Sequence, residues 1–253
     1  MSHKEMRGKW SIDGLAVAVL ASSALVLALA PAAMPGTYSW LRQTTSESAG
    51  QGVAGGWIAR LWFLLFGLTV SWLALNSACA WPRLSRVALG AFGILMIAAA
   101  AFSTRPWWPG AAFDPTEDLL HSIAATTMGI AFAFGLIIRA FRRGDDRVGL
   151  AWDGAGIAAS ILLPLAMALL PDWAGLLQRL MFAIAYAWFI VDVLRRPAAP
   201  LGAGRDDLHL ADSLGPEVHL NAAVGILAAE GNDDAHALAE RRFHRRISTP
   251  DNQ

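Results

Sequence analysis

Apolar residues along this chain come in long runs, neither alternating as in a half-buried strand nor spaced by three and four as on a surface helix. A membrane-spanning helix takes about 20 such residues, within a range of roughly 17 to 25. Six segments meet that length, at about residues 13–33, 57–79, 86–102, 119–140, 153–171 and 176–194. The pattern predicts an all-α fold, a polytopic bundle of six transmembrane helices over residues 1–196. Pro164 lies inside the fifth segment, where its ring removes a helical hydrogen bond and crowds the preceding turn, so a kink is expected there. After residue 196 the pattern stops. Pro197, Pro200, Gly202 and Gly204 break the last helix, and the stretch 197–253 has no sustained apolar face. That predicts a largely disordered cytoplasmic tail with a short helix at 235–246.

Composition agrees with the runs. Hydrophobic residues make up 55% of the chain and charged residues 16%, the balance of a membrane protein rather than a soluble domain. Formal net charge is zero, which excludes nucleic acid as a partner, because phosphate neutralisation needs a surplus of Lys and Arg. The single cysteine, Cys79, excludes an internal disulfide and reads as a buried inert thiol. The first span follows the basic stretch MSHKEMRGKW and ends in Ala28-Leu29-Ala30, which superficially resembles a secretory signal. Pro31 just beyond that point and the length of the run favour a retained helix.

Lys and Arg near the span ends set orientation. Lys4, Arg7, Lys9, Arg83, Arg86, Arg139, Arg142, Arg143, Arg147, Arg195, Arg196 and Arg205 fall on one side, and Arg42, Arg60, Arg105 and Arg179 on the other. This asymmetry predicts both termini in the cytoplasm and loops 34–56, 103–118 and 172–175 outside, in a multi-pass protein of a bacterial inner membrane. Trp10, Trp81 and Trp152 would mark the inner boundary, and Trp40, Trp57, Trp107, Trp108 and Trp173 the outer one.

The chemistry concentrates at the outer edge. Asp114-Pro115-Thr116-Glu117 reads as a helix start, with Asp114 as N-cap, Pro115 at the first helical position and Glu117 at the third. Asp114, Glu117, Asp118 and His121 then share one helical face, next to Arg105 in the preceding loop. Arg60 and Arg179 enter the second and sixth spans from the same side, about one turn deep. Two arrangements fit: both arginines pair with Glu117 or Asp118, or both reach headgroups while the acids merely cap a helix. Arg60, Arg105, Asp114, Glu117, Asp118, His121 and Arg179 together form the candidate binding cluster. The polar, glycine-rich loop from Tyr38 to Gly56 is placed to fold over it. On the inner side Asp153 and Asp192 are expected to anchor nearby arginines, Asp192 through Arg195 or Arg196. Asn76 and Ser77 read as interhelical hydrogen bonders, and Gly90, Gly93, Gly154 and Gly156 as sites of close helix packing.

Three stretches carry a resemblance: YSWLRQTTSESAG at 38–50, FSTRPWWPGAAFDPTEDLLHSIAATTMG at 102–129, and LLQRLMFAIAYAW at 176–188. They resemble the bacterial membrane family catalogued as domain of unknown function 998, over about residues 10–195. The resemblance implies a six-helix integral membrane protein and no established activity.

Three function classes stay open. A membrane enzyme would need a metal or an activated serine. Only His121 lies within the spans, so a three-histidine zinc site is excluded and Asp114, Asp118 and His121 remain weak metal candidates. Ser46 or Ser48 with His121 would be the nucleophilic alternative, without a local serine motif to support it. A small-solute transporter would want charges at the midplane, which is apolar, and an internal repeat, which is not evident. A non-catalytic component that binds a lipid headgroup or small polar ligand at the outer rim, or packs against a membrane-protein partner, fits best. No cofactor is expected. The bilayer is the partner the whole pattern requires. In the tail, Arg241, Arg242, Arg245 and Arg246 form a solvated basic end able to touch anionic lipid, and His209, His219, His236 and His244 are too scattered to hold a metal.

Overall fold

The computed structural model describes residues 3–77 and 80–196, with side chains from residue 14 onward. Cys79, the tail beyond residue 196, and the side chains of Lys4, Arg7, Lys9 and Trp10 lie outside the described residues. Among these residues the chain is all-helical. Its helices are α1 (His3–Leu29), α2 (Thr45–Ser48), α3 (Gly56–Asn76), α4 (Arg83–Ala101), α5 (Pro115–Ala140), α6 (Arg147–Leu169) and α7 (Ala174–Leu194), with short 3₁₀ turns at Ala30–Ala33 and Pro171–Trp173. Six stretches, each carrying one of the long helices, are long and apolar enough to cross a bilayer.

The helices begin earlier than the apolar runs suggest. α5 starts at Pro115 because the Asp114 carboxylate accepts the backbone N–H groups of Thr116 and Glu117, at 2.8 and 3.4 Å. α6 starts at Arg147 because Asp146 caps it through Gly149 N–H at 2.9 Å. A polar first turn satisfied in this way belongs to the boundary region, where hydropathy carries no signal. Pro164 interrupts the hydrogen-bond ladder of α6 without ending the helix, which continues to Leu169.

Each long helix packs on its neighbours in the chain, and α1 meets α7 to close the ring. Large aromatic rings fill the centre. Phe66 stacks on Tyr186 with centroids 4.0 Å apart, and Trp62, Phe92, Phe132, Trp188 and Phe189 surround them. The buried Tyr186 hydroxyl is answered by Ser23 at 2.5 Å; since the Ser23 hydroxyl hydrogen goes to Trp62 O at 3.0 Å, the tyrosine is the donor. This triangle ties α1, α3 and α7 together where no water can substitute.

Close backbone approach does the same work between α3 and α4. A Cβ on Gly67 would stand 2.7 Å from Gly93 O, and one on Gly93 would stand 2.7 Å from Ser71 N. Gly156 leaves no more room, since its Cβ would meet Leu136 of α5 at 2.3 Å. Gly90 lies near Ala74, whereas Gly154 faces open space. Three of the four glycines expected to pack are thus used inside this chain. Ser77 also bonds within its own helix, to Leu73 O, and the Asn76 amide to Trp72 O at 2.8 Å, so neither bridges helices as expected. A carbonyl four residues back is the nearest acceptor for a short polar side chain on a helix.

Gly67→Val should therefore destabilise the bundle by about 1–3 kcal/mol through a clash with backbone. Gly154→Ala should be neutral or stabilising by up to about 1 kcal/mol, because it gains helix propensity in empty space. Thermal unfolding in detergent micelles checks the pair; equal midpoints for the two variants would contradict the close approach of α3 and α4.

Candidate functional site

At the end of the bundle where α3, α5 and α7 begin, two loops fold across the helix ends. The first, residues 34–55, is built around α2. Thr44 and Glu47 cap it reciprocally: the Thr44 hydroxyl accepts Glu47 N–H at 3.1 Å, and the Glu47 carboxylate accepts Thr44 N–H at 2.7 Å. Gly55 turns the chain into α3 at φ 81°, a conformation that favours glycine.

Arg179 holds this loop to α7. Its Nη1 donates to Trp40 O at 2.7 Å, Gln43 O at 3.0 Å and Gly175 O at 2.9 Å, and its Nη2 donates to the Tyr38 hydroxyl oxygen. Burial pushes the Tyr38 phenol above its ordinary range, and the charge of Arg179 only partly offsets this. The phenol stays neutral and donates toward the carbonyls of Gln43 and Thr44, each at 3.3 Å. Arg60 fixes the loop's far end, with Nε on Ala49 O at 3.1 Å and Nη2 on Gly50 O at 3.4 Å. Gly175 permits the contact, because a Cβ there would lie 2.3 Å from Gln43 O.

The acids and the histidine hold the second loop. Glu117 accepts Ser103 N–H at 2.7 Å, Asp118 accepts the Thr104 hydroxyl and Arg105 N–H at 2.8 Å each, and His121 Nδ1 meets Phe102 O at 2.9 Å. Arg105 takes part through its backbone, and its side chain is exposed. Gln51 joins the loops: its amide donates to Ser103 O at 2.9 Å and to Asp114 O at 3.1 Å, and accepts Asp114 N–H at 2.7 Å.

Of the two arrangements open for Arg60 and Arg179, the pairing with Glu117 or Asp118 is not formed among the described residues. Each charge is spent on backbone of a loop that has no helical ladder, and those groups are nearer than any opposite charge. Asp114, Asp118 and His121 are likewise engaged, and no group of three metal-ligating side chains occurs among the described residues. His121 keeps one unused atom. Nδ1 faces a carbonyl and so carries a proton, while Nε2 is sealed from solvent without a hydrogen-bond partner, in a ring whose centroid lies 6.4 Å from that of Phe63.

Beneath this roof lies a cavity of about 370 Å³ between α5, α6 and α7, backed by Phe63 of α3 and Phe92 of α4. Ala125, Gly129, Phe132, Ala159, Pro164, Met181 and Ala185 make its walls apolar. Ser46 and Gln178 stand at the roof end. None of the seven cluster residues lines it, and hydropathy gave no sign of it. A void between three helices is set by side-chain shape, which a hydrophobic run does not encode.

The opposite end is closed by charge. Asp192 accepts from Arg139, from Arg196 at 3.4 Å and from the Trp81 indole at 2.8 Å. Asp153 accepts from Arg143 at 2.7 and 3.0 Å and from the Trp188 indole at 2.8 Å. The Arg139 guanidinium lies 5.1 Å from the Trp188 ring and 5.8 Å from Trp81. Its bond to Asp192 across helices was missed, although both residues lie in the last turn of a span on the arginine-rich side. Just outside the spans, hydrogen bonding from Arg195 holds the Asp146 carboxyl below its usual range, and the hydrogen bond to Asp153 raises Arg143.

Six bilayer-length helices with both ends fastened by polar networks define a multi-pass helical membrane protein. Within that class the chain belongs to the family described as Protein of unknown function (DUF998), whose model matches residues 15–194. No curated protein and no solved structure matches it.

Asp153 is fully buried, whereas the Arg42–Asp172 pair, 2.7 Å apart, is mostly exposed. Removing one partner of a buried pair strands the other. Asp153→Asn should cost about 3 kcal/mol and Arg42→Ala less than about 1 kcal/mol. Thermal unfolding of both in the same detergent checks the ordering, and equal losses would refute it.

Proposed function

We propose that this protein is a non-catalytic membrane component that takes an apolar or amphipathic molecule from the bilayer into the cavity between α5, α6 and α7. The carrying observation is the cavity itself, apolar at membrane depth and roofed by two braced loops. Its volume of about 370 Å³ falls in the usual range for small-molecule sites, roughly 300–1,000 Å³. The charged rim cluster supports the roof that the ligand lies under, rather than forming a polar pocket. Catalysis has no comparable support: the Ser48 hydroxyl is bonded to Thr45 O at 2.6 Å, His121 Nδ1 meets Phe102 O, and neither the Ser46 nor the Ser48 hydroxyl is hydrogen-bonded to His121.

The arginine asymmetry argues that the roofed end faces outward and the Arg139 network faces the cytoplasm, in the inner membrane of a bacterium. On that orientation the sequence beyond α7, residues 197–253, follows on the cytoplasmic side.

Gly129 gives a clean test of the cavity, since a Cβ there meets nothing within 4 Å and a larger residue would point into open space on a helix. Wild-type protein purified in mild detergent should retain a bilayer-derived lipid, and Gly129→Phe should retain at least about tenfold less while remaining folded by circular dichroism. Native mass spectrometry reads the lipid content; equal content in both proteins would sink the proposal. Orientation is checked separately with Ala112→Cys in a Cys79→Ser background. A membrane-impermeant thiol reagent should label it in intact spheroplasts, and labelling only after lysis would reverse the topology.

A further inference from the structure

We propose that the occupant of this cavity is a single-chain lipid whose neutral head presents an ester carbonyl to the side-chain amide of Gln178 and the hydroxyl of Ser46. This rests on the cavity being a binding site and goes on to name what binds.

The amide orientation is set by its surroundings. Gln178 Oε1 faces the backbone N–H groups of Thr45 at 2.7 Å and Ser46 at 3.3 Å, and also the Thr45 hydroxyl. Backbone N–H groups can only donate, so the oxygen must be on their side and the amino group on the other. Among the described residues no acceptor meets that Nε2, and it is not among the buried atoms sealed without a partner. Ser46 is in the same position: its backbone N–H goes to Gln178, its hydroxyl has no described partner, and the residue lines the cavity. Ser160 on the cavity wall is different, with its hydroxyl satisfied by Gly156 O at 2.9 Å.

The roof end therefore offers up to three hydrogens, two from the amide and one from the hydroxyl, and no positive charge. Arg60 and Arg179 are spent on loop carbonyls and do not line the cavity. A phosphate or carboxylate would enter a low-dielectric space with no cation to meet it, which is strongly disfavoured. A carbonyl oxygen matches neutral donors. Below them the walls are apolar from Gln178 to Ala185 on α7 and, Thr126 apart, from Ala125 to Phe132 on α5, about 10 Å of length at 1.5 Å per residue. That is room for part of one acyl chain, with the cavity partly open between the helices for the remainder to lie in the bilayer.

The test uses the full chain in maltoside micelles and displacement of the apolar fluorophore aminoanthracene. Competitors are dodecane, monolauroylglycerol and lauroyl lysophosphatidylglycerol, which share a chain length and differ in head. Gly129→Phe supplies the baseline for partition into micelles. Gln178→Glu keeps an oxygen for the Thr45 and Ser46 donors while removing both amide hydrogens, and Ser46→Ala removes the hydroxyl without touching the backbone contact. Wild type should prefer monolauroylglycerol over dodecane by about tenfold, and each substitution should remove several-fold of that preference with dodecane unchanged. If dodecane displaces the probe as well as monolauroylglycerol does, and Gly129→Phe abolishes both, the head assignment fails and the cavity stands. Preference for the lysophospholipid overturns the neutral head. If Gly129→Phe changes nothing for any competitor, the binding reading fails with it.

Discussion

One guanidinium holds the roof in place. Arg179 serves two loop carbonyls, a loop phenol and one carbonyl of its own helix from a position one turn inside α7, and through the loop groups it holds the first loop back over the bundle. Hydrogen bonds to a charged donor contribute about 1.5–3 kcal/mol each, against 0.5–1.5 kcal/mol for neutral ones. The alternative for those carbonyls is water at the boundary on one side and hydrocarbon on the other. With Arg179 in place the loop can lie flat on the helix ends, Leu176 N–H can reach Leu41 O at 3.1 Å, and Gln178 can reach Thr45 and Ser46. Arg60 and the acids of α5 then finish a surface that Arg179 begins.

The two ends of the bundle solve the same electrostatic problem differently. At the roofed end, charged side chains are matched to backbone, because two long loops bring many groups with no ladder of their own. At the other end the connections are short, and arginines are matched to aspartates and indole rings. Arg139 shows what the second solution demands. Its guanidinium is buried between two tryptophans and bonded to Asp192, yet its Nε stays without a hydrogen bond 4.0 Å from Asp153. Such a network fixes the relative positions of α5, α6 and α7 at one end while leaving a gap between the same three helices nearer the other.

How much of this was legible in the sequence follows the range of the interactions. The Asp114, Pro115 and Glu117 start of α5 was readable because capping is decided within four residues. The six spans were readable because bilayer thickness fixes their length. The partners of Arg60 and Arg179 were not, because a loop carbonyl has no residue type to announce it; every amino acid supplies one. Asp192 illustrates the limit from the other direction. Its i+4 partner Arg196 was in view, whereas Arg139, 53 residues away, required the order of helices around the ring. The cavity was the least legible, since Gly129 and Ala185 each read as an ordinary span residue and Pro164 only as a kink.

Gln178 links the legible and illegible parts. It lies next to Arg179 in sequence, so the α-helix points the two side chains in directions about 100° apart. One is directed to the loop's carbonyls, and the other bridges the loop's N–H groups and the cavity. The same amide group whose oxygen holds Thr45 and Ser46 offers its hydrogens below, and hydrogen bonds on the two sides of one amide polarise each other. An acceptor bound in the cavity would therefore strengthen the hold on α2, and a loosened loop would weaken the donors. In the site proposed above, roof order and occupancy would be two readings of one equilibrium, and the charged residues at the rim would influence a ligand that they do not touch.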